Sequence, residues 1–160
     1  MSGTIVDHLR GKRRIHIDSM VVIYFIEWHP TYGPLVRTIF ELVDRRELVG
    51  LSSYITLLEI MVQPLRQGRS DLVKRYRDTL VESRRFSLFP VDQAVAEDGA
   101  EIRARYAFRT PDAIQLATAV LQRADVFVTN DTKLRRFDRV EVLVLDDFVE
   151  HPVETKGQQG

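Results

Sequence analysis

The chain is 160 residues long, 44% hydrophobic and 29% charged, with 23 basic and 23 acidic side chains and a formal net charge of +0. These values suit one globular domain with a sizeable core, and they exclude a strongly basic coat for binding nucleic acid. With no cysteine, a disulfide framework, a thiolate zinc site and a cysteine nucleophile are excluded as well.

The N-terminal MSGTIVDHLRGKRR has no apolar signal-peptide core, and no apolar run is long enough to span a membrane. A cytoplasmic location is therefore expected. A single domain is expected at 14–148, with 1–13 and 149–160 as loosely ordered ends. Arg14-Ile15-His16-Ile17 reads as a strand that stops at Asp18-Ser19. Met20 to Trp28 reads as an apolar helix, followed by Pro30. Leu35, Val36, Ile39, Phe40 and Val43 recur at helical spacing. Val49 to Ser52 is a second strand, and Ser53 can cap a helix that starts at Tyr54 and ends near Pro64 and Gly68. Ser70 to Arg85 reads as a charged amphipathic helix, Phe86 to Val91 as a third strand and Gln93 to Tyr106 as a helix. Thr110 is expected as the N-cap of an apolar helix, with Pro111 at its first position. Asp125 to Thr129 and Val142 to Leu145 complete the strands, with a short helix, Thr132 to Phe137, between them. Strands alternating with helices imply βαβ units and a mostly parallel sheet covered on both faces. Ligands of such sheets bind outside the carboxyl ends of the strands.

Four acids stand at those ends. Asp18 and Asp131 each follow a strand and precede a helix, where a capping role would also account for them. Asp112 lies in the first turn of an otherwise apolar helix, a place that the helix dipole favours. Glu59 is deep in Leu57-Leu58-Glu59-Ile60-Met61-Val62, where no cap is needed; pairing with an arginine or facing solvent is the alternative to function. Taken together, the four can converge on one sheet edge. Clustered carboxylates repel unless a cation neutralises them. Their oxygen donors, with no His or Cys nearby in sequence, point to Mg²⁺ or Mn²⁺ rather than zinc. Such a pocket suits phosphodiester hydrolysis.

In this order these residues resemble the PIN domain, and within it the VapC-type toxin endoribonucleases of toxin–antitoxin pairs. Ile15-His16-Ile17-Asp18-Ser19 is similar to the family's first strand and first acid. SSYITLLE, Ser52 to Glu59, resembles the serine-led helix with the second acid. TPDAIQLATA, Thr110 to Ala119, resembles the most distinctive segment, with the third. VFVTND, Val126 to Asp131, resembles the strand that delivers the fourth. The resemblance implies a three-layer α/β/α domain with a central, mostly parallel sheet of about five strands. It implies a metal-dependent endoribonuclease, a homodimer and a small antitoxin protein as partner. Asp18, Glu59, Asp112 and Asp131 would hold one or two Mg²⁺ (or Mn²⁺) ions. A metal-activated water would then cut RNA to a 3′-hydroxyl and a 5′-phosphate. Ser19, Thr129 and Asn130 would support the site.

RNA needs positive charge at the rim of an acidic pocket. Arg103, Arg105 and Arg109 precede Asp112, and Lys133, Arg135 and Arg136 follow Asp131; each group is also accounted for as a solvated helix face. Tyr24, Phe25 and Trp28 suit core packing, a dimer surface or a groove for an antitoxin peptide. His8, His16, His29 and His151 show no metal-ligand spacing and read as structural. A haloacid-dehalogenase-like phosphatase would need a second aspartate where Met20 stands, and a response receiver would leave Glu59 without a role. An RNA-processing nuclease that is not a toxin, and a non-catalytic PIN-like binding module, remain as alternatives.

Overall fold

The computed structural model describes residues 3–150. Its centre is β1 (Arg14–Ile17), flanked by β2 (Val49–Ser53) and β4 (Val126–Thr129), with β3 (Phe86–Phe89) and β5 (Glu141–Val144) at the edges. The order is β3-β2-β1-β4-β5, and every pairing is parallel. A fully parallel sheet must be covered on both faces, which explains why its short central strands are buried almost throughout. Side chains alternate between the faces. Ile15, Ile17, Val126 and Val128 belong to a core with Val22, Ile39, Phe40, Tyr76 and Leu80. Phe127 belongs to a second core with Ile102, Leu116, Ala117, Leu134 and Phe137, and His16 stacks on it. The chain winds outward one way through β2 and β3, then returns to the other side of β1 for β4 and β5. The strand order therefore reverses at β1, and this is where ligand crevices open in doubly wound sheets.

The helices are α1 (Ile5–Leu9), α2 (Ser19–Ile26), α3 (Gly33–Asp44), α4 (Tyr54–Arg66), α5 (Ser70–Arg77), α6 (Gln93–Tyr106) and α7 (Thr110–Leu121). Several expectations need correction. The segment before residue 14 is ordered where it is described. Thr4 caps α1 reciprocally with Asp7, and Ile5 and Leu9 bury against the core. Residues 1, 2 and 151–160, with His151 among them, lie outside the described residues. The helix expected over Ser70 to Arg85 narrows to α5 and then widens into a π turn at Asp78–Glu82. It stops where Arg84 takes a left-handed φ of 54°. Thr110 is not the N-cap of α7: Arg109 holds that place with extended backbone and no side-chain cap bond. Pro111 is thus the second helical residue and Asp112 the third. The end expected near Pro64 and Gly68 holds: α4 stops at Arg66, with Pro64 inside its last turn.

At Gly50, close approach of the strands leaves no room for a side chain. A Cβ there would meet Phe86 Cδ1 at 2.4 Å and Cε1 at 2.6 Å. Gly50→Ala should therefore destabilise the β2–β3 edge by about 1–3 kcal/mol, the usual cost of overpacking. Urea denaturation measures it, and Gly50→Ala/Phe86→Leu should recover part of the loss.

Candidate active site

Each acid is delivered by a different element at the carboxyl end of the sheet. Asp18 ends β1, where its backbone N–H bonds to the Val128 carbonyl at 3.0 Å. It also caps α2, its Oδ1 accepting from the Ser19 N–H at 2.6 Å. Glu59 lies on α4, half-buried, nearly two turns beyond the Ser53 cap. Asp112 is in the first turn of α7. Asp131 follows β4 and caps the short 3-10 helix Thr132–Arg136 by accepting from the Lys133 N–H at 3.0 Å. The local capping roles of Asp18 and Asp131 are real, and they aim both carboxyls.

Hydrogen bonds tie Asp18, Glu59 and the backbone of Asp131 together, and Asp112 lies close enough for its charge to act on Asp18. The Ser19 hydroxyl lies 3.2 Å from Asp18 Oδ1 and 3.0 Å from Glu59 Oε1, so two acids share one donor. Thr129 donates to Asp18 Oδ2 at 2.7 Å, and its Oγ1 accepts the Asp131 N–H at 3.1 Å. Arg109 donates to Asp112 Oδ2 at 3.2 Å. That pair holds the Arg109 cation more firmly charged, and Asp131 and Glu59 add to the effect from farther off. Asp18 is buried, and burial pushes its carboxyl up to about 6. The bonds from Thr129 and Ser19 oppose that rise, while the nearby charges of Asp112 and Glu59 add to it. Among the described residues, no group of three or more His, Asp or Glu already meets metal-holding geometry. The donor set nevertheless fits a hard divalent cation. It is all oxygen, it crowds like charges around a buried carboxyl, and it leaves Asp18 relieved by any cation placed there.

The other candidates divide. Ser19 and Thr129 touch the acids directly. Asn130 does not: its amide donates to Tyr24 Oη at 3.2 Å and its carbonyl accepts the Asp146 N–H at 3.0 Å, which braces the end of β4. Of the basic residues, Arg109 faces the acids, and Lys133 is exposed next to Asp131. Arg135 forms two 2.6 Å bonds to Asp147, Arg136 lies over Phe108, Arg105 over Tyr106, and Arg103 donates to the Phe108 carbonyl at 3.0 Å. Tyr24 and Phe25 pack with Tyr32 and Phe40, whereas Trp28 is half exposed. His8 pairs with Glu141, and His29 Nδ1 accepts the Thr31 and Tyr32 N–H groups. Sequence reasoning missed Ser52, Thr56 and Gln115, buried polar side chains directly behind the acids. The available signal was polar residues three positions from Glu59 and Asp112 on otherwise apolar helix faces.

A family model described as the PIN domain matches residues 15–140. No curated protein matches the chain by sequence. Among solved structures, VapBC2 from Rickettsia felis bound to promoter DNA is similar, with a TM-score of 0.64 at 14% identity, covering 82% of this chain and 98% of that one. DNA-bound VapBC from Salmonella typhimurium gives 0.61 at 23% identity, with 83% and 98% covered. FitAcB from Neisseria gonorrhoeae gives 0.62 at 20%, with 82% and 97% covered. These likenesses show a shared fold.

The raised carboxyl of Asp18 sets a pH dependence of stability. Its folded value of about 6 exceeds the ordinary 3.8, so the folded protein binds the proton more tightly and gains stability as pH falls between these values. His16 acts in the opposite sense. Burial lowers it to about 4 from 6.5, so its contribution is lost as pH falls through that window. Asp18→Asn should stabilise the EDTA-treated protein at pH 7.5 by about 1–3 kcal/mol, and the gain should shrink towards pH 4. Denaturation of both proteins across this range measures it, because the His16 effect cancels in the difference.

Proposed function

This chain belongs to the PIN-domain family, and from that membership we propose that it is a divalent-metal-dependent endoribonuclease, the toxin of a toxin–antitoxin pair. The observation that supports the reading is that Asp18 and Glu59 meet at the Ser19 hydroxyl, that Asp112 acts on Asp18 by charge while pairing with Arg109, and that the Asp131 backbone is joined to Asp18 through Thr129. Asp18, Glu59 and Asp112 would hold Mg²⁺ or Mn²⁺, and Asp131 would hold a second ion or orient the attacking water. When bound, the cation supplies Lewis acidity to activate water and to offset charge on the phosphate.

The chain's own residues do the rest. Thr129 and the Ser19 N–H fix both oxygens of Asp18, so its carboxylate enters the reaction already oriented. A carboxylate of the cluster accepts the proton lost by water. Arg109 is largely exposed and paired to Asp112 from outside, which suits a guanidinium that contacts an RNA phosphate. Lys133 offers a second positive charge beside Asp131.

A protein partner is supported by the surface of α4. Tyr54, Leu58, Val62 and Leu65 are exposed at helical spacing and form an apolar stripe, with Met20 of α2 also exposed. The similar solved structures include toxin–antitoxin complexes, and a small antitoxin seated on this stripe fits the toxin reading. We place the protein in the cytoplasm as a homodimer. No helix among the described residues is long and apolar enough to cross a membrane.

Changing residues around a metal commonly costs 10–100-fold, so loss of a direct ligand should exceed that. Asp112→Asn should thus cut RNA more than about 100-fold more slowly while its circular dichroism is unchanged; equal rates for the two proteins defeat the site assignment. EDTA should silence the wild-type protein and excess Mn²⁺ should restore it. Induction of the wild-type chain alone should arrest growth, with rescue by Asp112→Asn. An active nuclease that leaves growth untouched would instead be an RNA-processing enzyme.

A further inference from the structure

Behind the acids runs a file of buried polar side chains that none of the chemistry above uses. His16 Nε2 lies 2.7 Å from Gln115 Oε1. Gln115 Nε2 lies 2.5 Å from Thr56 Oγ1. Thr56 Oγ1 lies 2.8 Å from Ser52 Oγ, which lies 2.9 Å from the Ile17 carbonyl. All four side chains are 0–1% exposed. They come from four elements: β1, α7, α4 and β2.

Proton counting gives the file a single direction. The Ile17 carbonyl can only accept, so the one Ser52 proton goes there. The Thr56 hydroxyl then donates to Ser52, the Gln115 amide to Thr56, and His16 Nε2–H to the Gln115 carbonyl. Each link uses one proton and one acceptor. The remaining polar atom, His16 Nδ1, is buried without a partner, so His16 takes part through Nε2 alone.

The placement follows the acids. His16 is two residues before Asp18 on the same face of β1. Thr56 is one turn before Glu59 on α4, and Gln115 one turn after Asp112 on α7. The Ile17 carbonyl adjoins Asp18 in the backbone. Every acid-bearing element except β4 is thereby bonded to the next, one layer below its carboxylate. Apolar packing at these positions would hold the elements together but would tolerate small slips. A hydrogen bond fixes distance and angle together.

We propose that Ser52, Thr56, Gln115 and His16 are positioning residues that set the spacing of Asp18, Glu59 and Asp112, and with it the pocket's affinity for a divalent cation. The catalytic consequence rests on the nuclease reading; the geometric one does not.

The test is the full-length His16→Leu/Gln115→Leu variant, which removes both partners of one link and takes from Thr56 only an accepted bond, its hydroxyl still donating to Ser52. Replacing both ends of a buried hydrogen bond by apolar groups is close to neutral for stability. Melting temperature should therefore stay near that of the wild type. Mn²⁺ affinity, read by electron paramagnetic resonance, should weaken by about 10–100-fold, and kcat should fall with KM for RNA unchanged. The single variant His16→Gln, which keeps a donor facing the Gln115 carbonyl, should retain Mn²⁺ affinity near that of the wild type. Unaltered Mn²⁺ affinity and kcat in the double variant overturn the proposal. If that variant does not fold, Thr56→Val, isosteric and placed mid-file, is read in the same way. If the wild-type protein neither binds Mn²⁺ nor cuts RNA, the nuclease reading fails and crystal structures of the two proteins decide the geometry. A shift of the Glu59 or Asp112 carboxylate relative to Asp18 by more than about 0.5 Å upholds the positioning role, and superimposable acids refute it.

Discussion

Mutual repulsion among carboxylates at one end of a parallel sheet is the constraint around which this molecule is arranged. Asp18 is buried and feels both Asp112 and Glu59. Burial is the larger reason that the Asp18 carboxyl favours its proton, and these two charges add to it. The fold opposes this with donors aimed at fixed oxygens: the Ser19 N–H and hydroxyl, the Thr129 hydroxyl and the Arg109 guanidinium. Stability is given up locally so that a site of unusual charge density persists.

The reversal of strand order at β1 makes that concentration possible. Because β1 has β2 on one side and β4 on the other, elements far apart in sequence end beside Asp18. The two cores then lock the two layers independently: Phe40 and Tyr76 fill the face under α2, α3 and α5, and Phe127 and Leu116 fill the face under α6 and α7. The exposed stripe on α4 lies on the same helix as Glu59.

Much of this was legible in the sequence. Alternation of short apolar runs with helical periodicity gave the layer architecture and the strands to within a residue or two, and Gln93–Tyr106 was read at its observed bounds. The acids draw notice by their joint placement, since capping or the helix dipole accounts for Asp18, Asp131 and Asp112 singly and only Glu59 has no local explanation. Other features were hidden for physical reasons. A π turn at Asp78–Glu82 leaves a helical pattern almost intact, so α5 was read too long. Ile5 and Leu9 are too few to signal a helix that forms chiefly because Thr4 and Asp7 cap it. Arg135, Arg136, Arg103 and Arg105 look alike in sequence, yet Asp147 and Phe108 hold the first two through the fold, and Phe108 and Tyr106 hold the others at the end of α6. The file from His16 to Ser52 joins residues from four elements, and no pairwise spacing could have revealed it.

The parallel pairing of β1 with β4 carries a consequence for timing. Asp18 is seated by a backbone bond to Val128 and a side-chain bond to Thr129, residues made more than a hundred positions later. A ribosome that stalls between Asp112 and the fourth strand leaves a polypeptide carrying three of the four acids, but with one edge of β1 open and nothing to seat its aspartate. The seat of Asp18 therefore forms only once β4 has been made and paired with β1.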